Sequence, residues 1–430
     1  MTGQEHTMNE HAVADRVVDH TVADHTVADH TGDGAGPLAG IRVIECGSLI
    51  AGPFCGQLLG DFGAEVIKVE DPAGGDPMRE WGPQKVDGLS LHWPIIARNK
   101  KSVTADLRQP DGQQLVRQLA AVSDILVENF RPGTLERWGL GYDELTAENP
   151  GLILVRISGY GQTGPYAGLA GFGSVGEAMG GIRYLTGEPD RPPSRIGISL
   201  GDSLTATFAA MGAVLALQAR QRTGRGQVVD SAIYESVLAL MESVLPEWEL
   251  AGYQRHRTGS VLPGVAPSNV YPTADGGEVL IGANRDTVFS RLVTAMGRPD
   301  LATDERYATH SARGERQDEV DRLVGAWTAT LDTSPLLDLL AEHGVPASRI
   351  YTTRDMFSDP QFLARETIQR LTHKRLGQFP VQAVVPRLSH TPGSVRSLGP
   401  ELGEHNDEIY GGLLRLEPER LASLRASGTI

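Results

Sequence analysis

The sequence predicts an α/β protein that consists of a Rossmann-like large domain and a smaller α/β domain. Between residues 38 and 160, short β-branched runs alternate with longer helical runs. This alternation predicts a mostly parallel sheet with helices on both faces. A hairpin pattern and several helices follow, and strand-like sequence resumes after about residue 359. We therefore expect the chain to return to the large domain at its end.

The first predicted elements are a strand, IRVIEC, and a helix, PFCGQLLGDFG, which has a proline in its first turn. The segment VAPSNVYPTADGGEVLIGA predicts a hairpin, with Asp275, Gly276 and Gly277 as the turn. The other segments that we interpret as strands or helices of the large domain are EVIKVE, GQQLVRQLAAV, DILVENF, TLERWGL, YDELTAEN and LILVRISGYG.

Composition divides the chain into five predicted segments. The first is a His/Asp-rich tail that repeats VADHT and has too little apolar surface to offset the entropy cost of ordering, so we expect it to be disordered. Its five histidines could bind a metal loosely, but a solvated low-complexity tail is the interpretation that we favour, and we predict no metal site. The segments are the tail at 1–37, the N-terminal part of the large domain at 38–233, a helical linker at 234–258, the small domain at 259–358 and the returning C-terminal part at 359–430.

The formal net charge of −15 disfavours nucleic acid as a partner. No apolar run approaches the roughly 18 residues of a membrane helix, so we expect no contact with a membrane. Cys46 and Cys55 fall in one early segment, and no apolar leader is evident before them, which favours buried thiols in a reducing compartment. We therefore expect a cytoplasmic protein.

Common catalytic motifs are absent from the sequence. The first strand and turn suggest a nucleotide site, but GSLIAGPFCG does not match G-x-G-x-x-G, which disfavours an NAD enzyme. There is no G-x-S-x-G, H-E-x-x-H or C-x-x-C, which disfavours serine-nucleophile and metal-dependent chemistry.

One cluster of basic side chains lies just before a predicted strand, and a second patch of basic and amide side chains follows the end of another strand. ARNKKSVTADL contains Lys100, and ENFRPGTLERWGL contains Asn129 and Arg137. Open parallel sheets bind ligands where their strands end, and such clusters suit a phosphorylated ligand. A solvated surface turn explains the first cluster equally well, but the presence of two such patches favours the ligand.

Asp202 precedes a long apolar run in RIGISLGDSLTATFAAMGAVLAL. Aspartate at a helix start is a preferred N-cap and interacts favourably with the helix dipole, so capping alone is the simpler interpretation. A carboxylate is also ionised at neutral pH and needs no partner base to act as a nucleophile.

An ordered set of motifs resembles the class III CoA-transferases, also called the CaiB/BaiF or formyl-CoA transferase family. The resemblance covers about residues 38–410. The motifs are GIRVIECGSLIAGPFCGQLLGDFGAEVIKVEDPAGGDPMR, NKKSVTADLR, DILVENFRPGTLERWGL, SGYGQTGPYAG, GDSLTATFAAMGAVLAL with TGRGQVVD, and HGVPASRIYTTRDMFSDPQF.

This resemblance implies a homodimer in which two subunits thread through one another as interlocked rings. It also implies that Asp202 is the catalytic nucleophile, which forms an acyl-aspartyl anhydride and then an aspartyl-CoA thioester. We expect no tightly bound cofactor, because coenzyme A arrives as the thioester substrate. The residues that the resemblance assigns to CoA binding are Leu49, Ile50, Lys100, Asn129 and Arg137.

Three positions depart from the family pattern or match it only partly. Asp71 stands where relatives have a basic residue near adenine; Lys68 is a possible substitute, although a strand residue with a solvated tip is an equally good interpretation. Gly173 replaces the aspartate that related racemases use, and the nearby Glu177 fits a helix-surface glutamate better than a pocket residue. GANRDT matches the position of the family's mobile glycine-rich loop but has one glycine.

The resemblance predicts a CoA-transferase that moves CoA from an acyl-CoA, best succinyl-CoA, to a free carboxylic acid, best a dicarboxylate. Arg183 and Arg195 flank Asp202 in sequence and could bind a distal carboxylate. A 2-methylacyl-CoA racemase or CoA-ester isomerase, and a noncatalytic CoA-binding subunit of a heteromeric transferase, remain as alternatives.

Overall fold

A computed structural model describes residues 36–430. The predicted disordered tail therefore lies almost entirely outside the described residues. The strands are β1 Arg42–Glu45, β2 Glu65–Glu70, β3 Lys85–Val86, β4 Leu89–Ser90, β5 Lys100–Thr104, β6 Ile125–Glu128, β7 Ile153–Ser158, β8 Val228–Ala232, β9 Ser268–Pro272, β10 Glu278–Gly282, β11 Ala347–Arg349, β12 Ile368–His373 and β13 Gly377–Gln382.

The helices include one of 24 residues, α8, which is twice the length of the next longest. Short 3₁₀ turns lie at Pro77–Arg79 and Pro299–Ala302, and a π-helical segment lies at Asp407–Leu413. The α-helices are α1 Ala51–Asp61, α2 Trp93–Ile96, α3 Pro110–Ala121, α4 Thr134–Arg137, α5 Tyr142–Glu148, α6 Gly173–Met179, α7 Ile182–Leu185, α8 Leu200–Thr223, α9 Ile233–Leu238, α10 Val244–Ala251, α11 Asp286–Ala295, α12 His310–Glu315, α13 Gln317–Thr328, α14 Thr333–Glu342, α15 Thr353–Ser358, α16 Pro360–Ala364 and α17 Pro418–Ala426.

The largest sheet has six parallel strands in the order β5-β2-β1-β6-β7-β8. The predicted parallel sheet is therefore confirmed. The chain builds outward from β1 to β5, then returns to place β6 on the other side of β1. This reversal opens a crevice at the carboxyl ends of β1 and β6, where open α/β sheets bind ligands.

Strand residues alternate between two apolar cores, because successive side chains point to opposite faces. On one face, Val43 packs with residues of α1 and with the alanines of α8. On the other face, Ile44 packs with α3 and with Tyr410 and Leu424 from the end of the chain. The first and last parts of the described chain thus share one core.

A second, antiparallel sheet has the order β11-β10-β9. The predicted hairpin is confirmed, since Val279 of β10 pairs with Tyr271 of β9 across the Asp275–Gly277 turn. Apolar residues of α11, α13 and α14, including Leu292 and Leu340, pack in a core with this sheet. The strand-like sequence FPVQ belongs to β13, which does not extend the large sheet. Instead, β13 pairs antiparallel with β12 in a separate two-stranded sheet.

Helix α8 is long and strongly apolar, although its sequence was not expected to resemble a membrane helix. It is long and apolar enough to cross a membrane by length and composition alone, and 44% of its most apolar window is buried within the protein. Ala206, Ala209 and Ala213 pack against the large sheet, whereas Met211 and Leu215 are exposed. The helix therefore has two apolar faces. One packs inside the protein, and the other is exposed in this chain.

Candidate active site

A cavity of about 630 Å³ lies where β1, β6 and β7 end, beside the start of α8. Its wall includes Leu49 and Ile50 from the turn after β1, and Asn129 from the segment after β6. Asp202 lines the same cavity. Four residues that the sequence predicted for one site therefore meet here.

Asp202 lies in the first turn of α8, but it is not the N-cap. The helix begins at Leu200, and the N-cap residue is Ser199, whose side chain makes no capping hydrogen bond. The interpretation of Asp202 as a capping residue is therefore wrong, because the helix starts two residues earlier. Within residues 36–430, no hydrogen bond engages the Asp202 carboxylate, which leaves it available to a ligand.

The carboxylate of Asp202 packs directly against the backbone of α6. A Cβ atom placed on Gly173 would lie 2.2 Å from Oδ2 of Asp202. Only glycine fits at position 173 without displacing the carboxylate. An aspartate side chain at position 173 would therefore overlap the carboxylate of Asp202.

Burial raises the pKa of Asp202 from its ordinary value of 3.8 to about 6, and the negative charge of Glu177 contributes in the same direction. The positive charge of Arg195, which also lines the cavity, acts in the opposite direction. At neutral pH the carboxylate remains mostly ionised. It is therefore more basic than the carboxylate of an exposed aspartate.

Glu177 is 2% exposed and lines the cavity, so the interpretation as a helix-surface residue is wrong. Its Oε1 accepts the backbone N–H of Gly201 at 3.1 Å, and its Oε2 accepts from Arg183 at 2.7 Å. Glycines allow this face of α6 to pack closely against α9. A Cβ atom at Gly176 would lie 2.3 Å from Ile233 Cγ2, and one at Gly180 would lie 2.6 Å from Val237 Cβ. That glycine spacing was the sequence signal for a buried helix face.

The turn after β1 is held in an unusual conformation. Leu49 has φ 65°, in the left-handed region that side chains disfavour. Asn129 fixes the preceding residue, because its side chain accepts from Ser48 N at 2.8 Å and donates to Ser48 O at 2.9 Å. The structure thus places Asn129 behind the turn, where one side chain both supports the turn and borders the cavity.

Lys100 does not reach the cavity. Its side chain is fully buried, forms an ion pair with Glu45 at 2.7 Å and donates to Pro53 O at 2.6 Å. Successive strand residues point to opposite faces, and Lys100 points under α1. The structure therefore does not support a phosphate contact from Lys100.

Arg137 is exposed and lies outside the wall of the cavity; it donates to Thr134 at 2.9 Å. The tip of Lys68 is not solvated, because its side chain is 2% exposed and pairs with Glu45 and Asp76. The interpretation of Lys68 as a strand residue with a solvated tip is therefore wrong.

A second crevice, of about 400 Å³, lies on the other side of the turn. Phe130 and Ser48 border both spaces. Its wall contains Asp71 and the exposed Arg108, whose guanidinium pairs with Asp106 at 2.7 Å and Asp71 at 3.3 Å. Sequence reasoning missed Arg108, although it also follows a strand, β5, by four residues.

The segment Gly282–Thr287 runs from the last residue of β10 into the first turn of α11 and is not part of the cavity wall formed by this chain. Asn284 O accepts from the buried Arg313 at 2.6 Å. Shielding of Asp202 by this segment of the same chain is therefore not supported.

Comparison with known proteins identifies the family. Residues 38–406 match the model of CoA-transferase family III. Succinyl-CoA–D-citramalate CoA-transferase of Chloroflexus aurantiacus is 61% identical over 394 residues, covering 92% of this chain and 98% of that protein. The beta subunit of succinyl-CoA–L-malate CoA-transferase from the same organism is 42% identical, with coverage of 92% and 98%. A CaiB/BaiF family protein from Brucella suis has a crystal structure that matches with a TM-score of 0.77 and 38% identity, covering 88% of this chain and 99% of that one. The resemblance seen in the motifs is confirmed, and this chain belongs to CoA-transferase family III.

Proposed function

We propose that the protein transfers CoA from succinyl-CoA to a short dicarboxylate, most suitably a 2-hydroxydicarboxylate such as citramalate or malate. The names of the relatives support this donor and this class of acceptor. The observation that carries the proposal is the Asp202 carboxylate, ionised and without a hydrogen-bond partner among the described residues, in a cavity beside the turn after β1.

Asp202 begins the reaction as the nucleophile. One Oδ attacks the thioester carbonyl of succinyl-CoA, the C–S bond breaks, and an aspartyl-succinyl anhydride and CoA thiolate result. The thiolate then attacks the aspartyl carbonyl, which releases succinate and leaves an aspartyl-CoA thioester.

The second half repeats these steps with the acceptor. The acceptor carboxylate attacks the aspartyl thioester and releases the thiolate, which then attacks the acceptor carbonyl of the new anhydride. The products are the acceptor CoA thioester and the free Asp202 carboxylate. Backbone N–H groups of the first turn of α1 lie beside Leu49 and Ile50 and would stabilise the developing oxyanions.

Arg195 is the candidate for binding the distal carboxylate of the acceptor. It lines the cavity with Asp202, whereas Arg183 is engaged by Glu177 at 2.7 Å. A guanidinium can bind a carboxylate through two parallel hydrogen bonds. Arg195→Ala should raise the KM for a dicarboxylate at least about tenfold, because charge-assisted hydrogen bonds are lost, and should change the KM for a monocarboxylate little. Equal changes for both acids in steady-state assays would contradict this assignment.

For CoA itself, we propose contacts with Leu49, Ile50 and Asn129, and we retain Arg137 as an outer contact. Arg108 is a better placed cation than Lys100 for the adenosine phosphates, because it is exposed on the wall of the second crevice. We propose no tightly bound cofactor, since CoA enters and leaves as substrate and product.

We also propose an intertwined homodimer with Rossmann-like large domains. The sheet order, with its reversal beside β1, supports the Rossmann-like assignment. Apolar side chains that this chain leaves uncovered, including Leu215 on α8 and Leu250 on α10, fit an interface with a second copy. The domain boundaries remain those predicted above, and two buried free thiols favour a cytoplasmic location.

The test is to incubate the protein with a panel of acyl-CoAs, trap the adduct with hydroxylamine and map it by mass spectrometry. We expect an aspartyl hydroxamate at Asp202 with succinyl-CoA, and none in Asp202→Asn. CoA binding without any adduct would instead indicate a noncatalytic subunit. Exchange of the α-proton with deuterium in the absence of an acceptor would indicate a racemase.

A further inference from the structure

Four ionisable side chains are buried beneath the turn that follows β1, and the chemistry at Asp202 uses none of them. They are Glu45, Lys68, Asp76 and Lys100, each at most 4% exposed. Two are basic and two are acidic. Because removing charges from water is costly, such a cluster persists only where each member finds partners.

The two lysines bind carbonyl oxygens on either side of Leu49, one at the start of the turn and one in the first turn of α1. Lys68 Nζ donates to Gly47 O at 2.6 Å, and Lys100 Nζ donates to Pro53 O at 2.6 Å. Glu45 joins the two ammonium groups, with its Oε1 3.1 Å from Lys68 and its Oε2 2.7 Å from Lys100. The start of the turn and the first turn of α1 are therefore held by one buried charge cluster on the sheet.

Between these two anchored carbonyls lies Leu49, in the left-handed conformation with φ 65°. Its backbone N–H donates to Oδ1 of Asp76 at 3.2 Å, and Oδ2 of Asp76 lies 2.9 Å from Lys68 Nζ. A branched side chain disfavours this φ, so the conformation persists only because its surroundings impose it. The buried charges supply that constraint.

The turn also forms the boundary between the two spaces of the site. Ser48 borders both the cavity of about 630 Å³ and the crevice of about 400 Å³, whereas Leu49 and Ile50 border the larger one. A ligand that extends from Asp202 into the crevice must cross the turn. The conformation of the turn therefore decides how such a ligand fits.

We propose that Lys68 and Lys100 are positioning residues: their ammonium groups, joined by Glu45, hold the carbonyl oxygens of Gly47 and Pro53 and so fix the turn on which acyl-CoA lies. This inference rests on the proposed function for the identity of the ligand. It gives Lys100 a role through the turn instead of a direct contact with phosphate. The thioester arm that crosses the turn, not the charged nucleotide end, is the part of CoA whose binding depends on Lys100.

The experiment compares Lys100→Met with Lys101→Met. Lys101 is the matched control, because it is the next strand residue, is 32% exposed and pairs with Glu65 and Glu408 on the protein surface. Dissociation constants are measured by calorimetry for succinyl-CoA and for succinyl-pantetheine, which lacks the adenosine phosphates. The Asp202→Asn background prevents any covalent step from contributing.

We expect Lys100→Met to weaken both ligands by the same factor, about 10- to 100-fold, because a small displacement of a binding segment has effects of this size. Lys101→Met should change neither. Loss of affinity for succinyl-CoA alone would show a direct phosphate contact and overturn the proposal. Unchanged affinities with only a lower unfolding temperature would also overturn it. Failure of the Asp202→Asn protein to bind either ligand, before any lysine is changed, would count against the proposed function instead.

Should Lys100→Met not fold, the double variant Glu45→Gln/Lys100→Met removes one charge of each sign and is measured in the same way. Reductive methylation of the wild-type protein provides a test without any variant. Lys100 should remain unmodified with and without succinyl-CoA, while Lys101 is modified. Modification of Lys100 that succinyl-CoA suppresses would overturn the proposal.

Discussion

A carboxylate attacks a thioester only when it is ionised, yet Asp202 lies where burial and the charge of Glu177 both oppose ionisation. The protein therefore keeps a charge at a position that disfavours it, which is common where stability is sacrificed for function. Burial and the charge of Glu177 also make the Asp202 carboxylate more basic. The same arrangement thus predicts one effect on stability and another on rate.

Replacing Asp202 by Asn should stabilise the fold at neutral pH. The pKa is about 6 in the folded protein against an ordinary 3.8, so the wild-type protein loses stability as pH rises from about 4 to about 6. Asp202→Asn lacks this loss. Above pH 6 the variant should be more stable by about 1–3 kcal/mol, with little difference below pH 4. Denaturant unfolding of both proteins at pH 4 and pH 7.5 measures this difference in the free energy of unfolding. If Asp202→Asn is less stable than the wild-type protein at pH 7.5, the predicted cost of the buried charge is wrong.

Replacing Glu177 by Gln should shift the pH profile. In the wild-type protein kcat/KM should fall below about pH 6, as Asp202 becomes protonated. Glu177→Gln removes a negative charge that raises this pKa, while its amide oxygen can still accept from Gly201 N. The acid limb should move down by about half a pH unit or more. Glu188→Gln, at an exposed position, is the control, and an unmoved limb in Glu177→Gln would show that its charge does not reach Asp202.

At the scale of elements, packing of α6 against the start of α8 sets the position of Asp202, the proposed nucleophile. Gly173→Ala would place a methyl group 2.2 Å from Oδ2 of Asp202 and must displace the carboxylate. We expect kcat to fall about 100-fold, because the reacting groups lose alignment. Stability should fall by only about 1–3 kcal/mol, because the added methyl group displaces one side chain in a closely packed site. Gly168→Ala, whose Cβ meets nothing within 4 Å, is the control. Unchanged kcat in Gly173→Ala would contradict this role.

Sequence patterns predicted the elements better than they predicted side-chain directions. The β-branched runs located the strands at the centre of the large sheet, and the rule that ligands bind at strand ends pointed to Asn129. The family resemblance supplied Leu49 and Asp202, which line the same cavity. Adjacent lysines on β5 point to opposite faces, however, and nothing local shows which face α1 covers. Lys100 was therefore assigned to the ligand although it is buried against Glu45. Partners distant in sequence decide such directions.

At the scale of the whole molecule, α8 joins the candidate site to an exposed apolar surface. Asp202 lies in its first turn, while Met211 and Leu215 further along are 52% and 60% exposed. Trp248 and Leu250 on α10 are 59% and 84% exposed. Monomeric proteins rarely expose large apolar patches, so these side chains fit the proposed interface with a second copy.

The connectivity of the chain is compatible with the interlocked rings proposed above. Tyr410 and Leu424 from its end pack in the same core as Ile44 of β1, and the residues of the small sheet lie between them in sequence. A subunit closed in this way around its partner cannot leave without unfolding, whereas a dimer held by surface contacts separates on dilution. Interlocked and surface-bound dimers should therefore differ in the rate at which they exchange subunits.

We therefore expect no exchange of subunits under native conditions. Tagged and untagged protein, mixed, diluted to nanomolar concentration and reconcentrated, should yield no mixed dimers by affinity capture and native mass spectrometry. Unfolding both proteins in denaturant and refolding them together should yield mixed dimers in statistical proportion, because the rings can then close around either partner. Mixed dimers after dilution alone would show an ordinary surface interface, and a protein that is monomeric throughout would show that the apolar faces of α8 and α10 serve some other contact.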